Sequence, residues 1–316
     1  MSVFIFDAHV DTLSRLLASD ETLDKNRGHV NLDFLRQNKK SGGAQVFAAF
    51  VSPMFYHGKA LHQTMAMLDL FWQWMETFPD DLAFAGTGRE ISTISQQGKI
   101  ACLLGIEGGE ALQGNLANLR MFYRLGVRLL TLTWNHRNDL ASGAPEGESG
   151  GGLSLFGQEV VREMNRLGML VDVSHLNDES FWDVVEISQD PIIASHSNSR
   201  TLCNHPRNLT DEQVRAIAAG GGVIGVNFCP HFLAQGRQAT IHDVVEQIEY
   251  LARIGGVECV GLGSDFDGIG QTPLGLANYS KTQELAVILQ ERGHSEGDVA
   301  KIMGGNFQRL CERVLG

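Results

Sequence analysis

The sequence has little basic charge. Its 25 Lys and Arg face 37 Asp and Glu, a formal net charge of −12, so nucleic acid and anionic membrane surfaces are poor partners. Cysteine is scarce: Cys102, Cys203, Cys229, Cys259 and Cys311 form an odd set, with no two spaced as CxxC. That argues against a disulfide framework, and Cys102 and Cys259 read as small buried residues within strands. No apolar run approaches the ~20 residues of a membrane span. No basic segment precedes the apolar start, and Asp7 interrupts it, so no secretory signal is read. A reduced, cytoplasmic location is the expectation. A Walker loop, a GxSxG elbow and HExxH are all missing, which excludes a helix-borne zinc-protease site. There is no internal repeat.

What is present is a long alternation. The chain has 316 residues, 43% of them apolar, enough for a large core. Strand-like runs fall at 3–9, 44–50, 100–106, 128–134, 170–174, 191–196, 222–228 and 258–264. Helical patterns lie between them at 62–76, 116–124, 157–167, 179–189, 211–219 and 242–254, with apolar residues recurring every three and four positions. Thr210 with Gln213 suits a helix start; Gly168 and Gly220 suit helix stops. Eight strands with intervening helices predict a single (β/α)8 TIM barrel over 1–316, with helices at 279–292 and 296–315 packed outside it. The rival, an open doubly wound sheet, announces itself by a glycine-rich first turn. Here that turn reads His9-Val10-Asp11-Thr12-Leu13. The stretch 143–152 is either a mobile loop over the site or a plain connector, and 52–59 is a second loop at the same rim.

Three strand-like runs end near histidine: Phe6-Asp7-Ala8-His9-Val10-Asp11, Leu170-Val171-Asp172-Val173-Ser174-His175 and Ile192-Ile193-Ala194-Ser195-His196. Strand ends on one rim of a barrel converge, so these imidazoles and carboxylates can make a metal site. His9 and Asp11, two apart in a strand, would share a face. Glu107 leaves its strand into Gly108-Gly109, where one carboxylate can bridge two ions. Alone, each is more simply a hydrogen-bonded strand-end residue; together they outweigh that reading. Five protein ligands are too many for one catalytic zinc. Two ions sharing Glu107 would each have three, and such pairs hold a bridging water. Asp265, after the eighth strand, could take a proton from that water and pass it to a leaving amine. Asp267, two residues on, sits in a turn-like Asp-Gly context. Arg207 could hold a carboxylate in two parallel hydrogen bonds, although spacing alone leaves it a surface arginine. His29, His57, His62, His205, His231, His242 and His294 read as surface or loop residues.

Taken in order, these segments resemble the membrane (renal) dipeptidase family of zinc metallopeptidases. The similarity runs from about residue 6 to about residue 310. Its most specific pieces are Asp7-Ala8-His9-Val10-Asp11-Thr12, Gly105-Ile106-Glu107-Gly108-Gly109, Asn165-Arg166-Leu167-Gly168-Met169, Asp172-Val173-Ser174-His175, Ser195-His196-Ser197, Arg207-Asn208 and Ser264-Asp265-Phe266-Asp267-Gly268. The resemblance implies an amidohydrolase-like barrel with two Zn2+ per chain. His9 and Asp11 would bind one ion, His175 and His196 the other, and Glu107 both. Asp265 would manage the proton, and Arg207 would grip the C-terminal carboxylate of a dipeptide. It further implies hydrolysis by a metal-bridging hydroxide, tolerance of a C-terminal D-residue, β-lactam opening in some members, and a homodimer. The chain departs from the pattern once. A histidine often follows Thr-Leu-Thr and donates to the reacting carbonyl, but here that residue is Trp134. His136 and Asn135 are the candidates to replace it, with Trp134 and Asn135 beside the substrate. The signal peptide and anchoring tail of the animal enzymes are not read here, so a membrane attachment is not expected.

Two rivals stand. One is another metal hydrolase of this architecture, such as a lactonase, deaminase or phosphotriesterase; these usually begin HxH and bridge through a carboxylated lysine, and no lysine ends the third or fourth strand. The other is a non-catalytic barrel, against which the full set of ligand residues argues.

Overall fold

The computed structural model describes residues 3–38, 41–56 and 58–316. His57 lies outside the described residues. Among them, nine strands form one parallel sheet: β1 (Ile5–Val10), β2 (Gly43–Phe50), β3 (Leu82–Phe84), β4 (Ile100–Glu107), β5 (Val127–Thr131), β6 (Leu170–Asp172), β7 (Ile193–Ala194), β8 (Val223–Val226) and β9 (Val260–Leu262). Eight close into a ring, β1-β2-β4-β5-β6-β7-β8-β9, with β9 returning to β1. These are the eight expected strands, and the fold is a (β/α)8 TIM barrel. β3, which the pattern did not reveal, pairs with Ile100–Cys102 of β4, while β5 takes the same edge of β4 from Leu104 onward. It is a splint on the barrel rather than a ninth stave.

Side chains alternate between the two faces of each strand, and both sets are apolar because both faces are covered. Phe6, Val46, Leu103, Leu129 and Val223 fill the interior, whereas Ile5, Phe47, Leu104, Leu130 and Ile224 face the helices. The expected helices form at Ala60–Thr77, Leu116–Arg124, Leu155–Leu167, Asp178–Ile187, Asp211–Ala219 and Ile241–Gly255. Thr210 and Gln213 make the reciprocal cap, at 3.3 and 2.8 Å. Gly168 ends its helix at φ 68°. At the other expected stop Gly220 stays right-handed and Gly221 takes the positive φ. Four short helices were not expected: Thr12–Leu17, Leu32–Asn38, Gly88–Gln96 and Pro230–Leu233.

The C-terminal helices need one correction. Helix Gln283–Glu291 lies outside, against Ile241–Gly255. The last helix, Asn306–Val314, instead closes the N-terminal mouth of the barrel. Phe307, Leu310, Cys311 and Val314 share one of its faces and join the interior cluster, and the Phe307 ring lies 5.3 Å from that of Phe6. An amphipathic helix at that place removes apolar strand ends from water, about 1.5–3 kcal/mol for each large side chain. All five cysteines are free thiols. No helix among the described residues is long and apolar enough to cross a membrane.

Candidate metal centre

The carboxyl ends of the strands bring five donors together. His9 Nε2 lies 3.3 Å from Asp11 Oδ2 and 3.5 Å from Glu107 Oε2. Glu107 Oε1 lies 2.8 Å from His175 Nε2 and 3.5 Å from His196 Nε2. The two imidazole nitrogens are 2.8 Å apart. Glu107 thus turns one oxygen to His9 and the other to the His175–His196 pair. Asp265 belongs to the same cup: ligand atoms of His9, Asp11 and Asp265 lie within 4.8 Å of one another.

The alternation of β1 would not have aimed His9 inward. Phe6 and Ala8 already face the interior, so His9 should face outward. The ladder slips here: Asp7 pairs with Gln45 but Val10 with Phe47. One extra residue on β1 is a bulge, and a bulge reverses which side the following side chains take. His175 and His196 lie just beyond β6 and β7 rather than closing them. His175 and Asp265 both adopt left-handed backbone, at φ 72° and 61°. That is uncommon for non-glycine residues and stores strain at the site. Gly268 lets Asp11 and Asp265 crowd together: a Cβ there would stand 2.2 Å from Asp11 Oδ2 and 2.4 Å from Asp265 Oδ1.

Hydrogen bonds to the far ring nitrogens fix two of the imidazoles. Ser195 Oγ donates to Asp172 Oδ2 at 2.6 Å, so it accepts from His196 Nδ1 at 2.8 Å. Asn135 Oδ1 lies 3.0 Å from His175 Nδ1 and accepts its proton. Both Nε2 lone pairs are then free to face a cation, as metal-ligating histidines require. Neither ring nitrogen of His9 has a hydrogen bond, nor does Asp11 Oδ1, and all three atoms are buried. Orphaned buried polar atoms are costly, and a cation satisfies them.

The charges agree. Burial alone would depress His9, but Glu107 and Asp11 outweigh it and hold its imidazolium well above the ordinary range. Glu107 is held well below the ordinary range, because His9, His175 and His196 outweigh its burial. His175 is pushed down to about 4 by burial and by Arg207, and His196 goes down through burial and His9. The cup stabilises positive charge at its carboxylates and offers neutral imidazoles beside them. Burial, then Asp11 and Glu107, push Asp265 up to about 8; Asn227 Nδ2 donates to its Oδ2 at 3.0 Å.

Arg207 is no surface arginine. It is 6% exposed and lines the cavity above the cup. Its guanidinium carbon sits 5.6 Å from the Phe232 ring centre, its Nε is buried without a hydrogen bond, and it has no ion pair among the described residues. Trp134 and Asn135 also line the cavity. His136 does not: its side chain is 60% exposed and turns to Glu146 at 3.7 Å. His205 was read as a surface or loop residue, yet it lines the cavity against Phe232. His29 was read likewise, but its Nδ1 accepts from Asp267 N at 3.0 Å. Asp267 is a brace, taking Thr12 Oγ1 and His29 N at 2.7 Å each. The stretch 143–152 contains a 3-10 turn, Ala144–Gly150, tied down by Asn177 Nδ2 at Gly147 O and Gly151 O.

Sequence reasoning missed the residues beneath the donors. Asp7 accepts from Ser264 N, from Ser264 Oγ and from His9 N. Asp172 accepts from Thr131 Oγ1, Ser195 Oγ, Ser174 N and Ser195 N. A signal was present: serine directly precedes His175, His196 and Asp265.

A parallel eight-strand barrel with this donor set at its C-terminal rim is a metal-dependent hydrolase barrel. The chain belongs to the membrane dipeptidase family, peptidase family M19, whose model matches residues 1–315. It is 35% identical over 302 residues to an uncharacterized dipeptidase of Schizosaccharomyces pombe, covering 90% of this chain and 72% of that protein. It is 32% identical over 323 residues to mouse (Mus musculus) Dipeptidase 3, covering 98% of this chain and 64% of that protein, so it spans less than two thirds of the mouse protein's length. A solved metallopeptidase of Rhodobacter sphaeroides, liganded with a phosphinate mimic of the dipeptide L-Ala-D-Ala, superposes with a TM-score of 0.90 at 28% identity. That match covers 99% of this chain and 100% of the other.

Proposed function

We propose that this chain is a zinc dipeptidase holding two ions, one by His9, Asp11 and Glu107, the other by Glu107, His175 and His196. The convergence of three imidazoles on a single carboxylate, with His9 and Asp11 orphaned and buried, carries this reading. Imidazole with carboxylate suits zinc. When bound, such paired ions supply an activated water and polarise the scissile carbonyl.

The chain's own residues do the rest. Arg207, buried and without a carboxylate partner, takes the substrate's C-terminal carboxylate and fixes the peptide across the cup. Asp265 manages the proton. Its carboxyl is pushed up to about 8 by burial and by Asp11 and Glu107; with cations held beside it that value would fall, and the carboxyl could then accept a proton and return it to the departing amine. Asn227 holds it in place. Asn135, with its side-chain oxygen on His175, positions that ring. His136, in solvent, is not needed. Acceptance of a C-terminal D-residue is part of the proposal, supported by the relative bound to an L-Ala-D-Ala mimic.

The test is turnover of L-L and L-D dipeptides, with and without chelator, alongside elemental analysis. The expected result is dipeptide hydrolysis lost on chelation and regained with zinc, at two ions per chain. Lactone or phosphotriester turnover above dipeptide turnover would refute it.

A further inference from the structure

We propose that the subsite for the residue on the N-terminal side of the scissile bond selects large apolar side chains, aromatic or long aliphatic. This inference rests on the dipeptidase reading and adds a substrate class to it.

The order of strands around the ring sets the direction of a bound dipeptide. In β1-β2-β4-β5-β6-β7-β8-β9, β2 and β7 stand four strands apart and face each other across the mouth. Arg207 lies after β7, so the C-terminal residue of a bound dipeptide lies on that side. The scissile carbonyl lies over the cup. The residue that owns this carbonyl therefore points toward β2. There the wall is apolar. Phe50, the last residue of β2, pairs in register with Glu107, one step from the shared carboxylate. Its ring packs at 5.1 Å on Trp134, just past β5. Phe55, Met54 and Met67 extend the same wall.

Size and charge point the same way. The cavity is about 1020 Å3, the upper end for small-ligand pockets and far more than a pair of small residues fills. Met54 is 76% exposed at its edge, an apolar surface awaiting a partner. Among the described residues, β2, the turn after it and the helix Ala60–Thr77 give this wall no charged side chain, only the polar Ser52 and Gln63. Arg15, on the helix after β1 that packs against β2, borders this wall; it is already engaged by Glu21, with Asn26 Oδ1 at 3.3 Å, so an acidic substrate side chain would have to compete with Glu21 for it. The wall also explains Trp134. A histidine there would present a polar edge, whereas the indole continues the surface of Phe50.

The experiment is a panel X-Ala and X-D-Ala, with X as Gly, Ala, Leu, Phe, Glu or Lys, hydrolysed by the zinc-loaded protein. kcat/KM should rise at least about ten-fold from Gly and Ala to Leu and Phe, with Glu and Lys poor. Trp134→Ala and the milder Phe50→Leu should lower the Phe-to-Gly ratio, the first to about three-fold or less. A flat or inverted series, a preference for Glu or Lys, or a ratio unchanged in both variants would overturn the subsite. Good turnover of Gly and Ala members without gain for Leu and Phe removes the subsite alone. No turnover of any member removes the dipeptidase reading with it.

Discussion

Asp172 never touches a metal ion or substrate in this arrangement, yet replacing it should weaken the binding of one of the two ions. It is fully buried. Its Oδ2 takes Thr131 Oγ1 and Ser195 Oγ, both at 2.6 Å, and its Oδ1 takes Ser195 N at 2.8 Å and Ser174 N at 3.0 Å. Asp172→Asn keeps the shape. The amide oxygen can stay on the two N–H donors, so the NH2 faces the two hydroxyls. Ser195 Oγ then receives a proton instead of giving one, while His196 Nδ1 at 2.8 Å still offers another. The serine's own proton loses its strong acceptor. Hydrogen bonds to a charged group are worth about 1.5–3 kcal/mol each against about 1 kcal/mol for neutral ones; all four become neutral here and the two hydroxyl bonds must reverse, so a stability loss of about 2 kcal/mol or more is expected. Outer partners of metal-bound histidines typically govern ~10–100-fold in metal affinity. Competition with a chromophoric chelator should therefore show one zinc weakened by that factor and the ion at His9 and Asp11 nearly spared. Ser195→Ala should weaken the same ion with a smaller loss in urea denaturation. If Asp172→Asn binds both ions with wild-type affinity, the serine relay does not orient His196.

Asp265→Asn should retain both ions but lose about 10²–10⁴-fold in kcat; unchanged turnover would remove it as proton carrier. A third prediction concerns stability and pH at Glu163, on the helix Leu155–Leu167. Glu163 takes Arg166 Nε at 2.7 Å and Arg120 Nε at 2.5 Å, and Arg166 first, then Arg120, hold its carboxyl down at about 2 against an ordinary 4.5. A depressed folded-state pKa stabilises in full above the ordinary value and is lost as pH falls through about 2. Wild type should therefore exceed Glu163→Gln in urea midpoint at pH 7, with the gap closing between pH 4.5 and 2; a pH-independent gap would show a packing effect instead.

The barrel was legible because parallel strands covered on both faces read as continuous apolar runs, and eight of them survive as expected. β3 was hidden by its three residues, and Thr12–Leu17 and Leu32–Asn38 are too short to show a helical period. The residues of the cup were legible as types, but their aim was not. His9 faces the cup through a bulge that no pattern of alternation predicts. Asn135 rather than His136 reaches His175, a choice set by how the chain leaves β5. Phe50 and His205 become site residues only once the ring brings β2 opposite β7.

The misplaced strand ends share one cause. Ser174 N and Ser195 N, which would have continued their ladders, donate to Asp172, and Ser264 N donates to Asp7. A backbone donor satisfied by a carboxylate no longer needs the neighbouring strand. The strand therefore stops, and the next residue is free to turn. That residue is His175, His196 or Asp265, and two of the three take a left-handed turn. Buried carboxylates near the strand ends thus do two things at once: they stop the ladder and aim the side chain beyond it into the cup. The sequence displays each Asp and each Ser, but only the closed ring shows that one answers the other across adjacent strands.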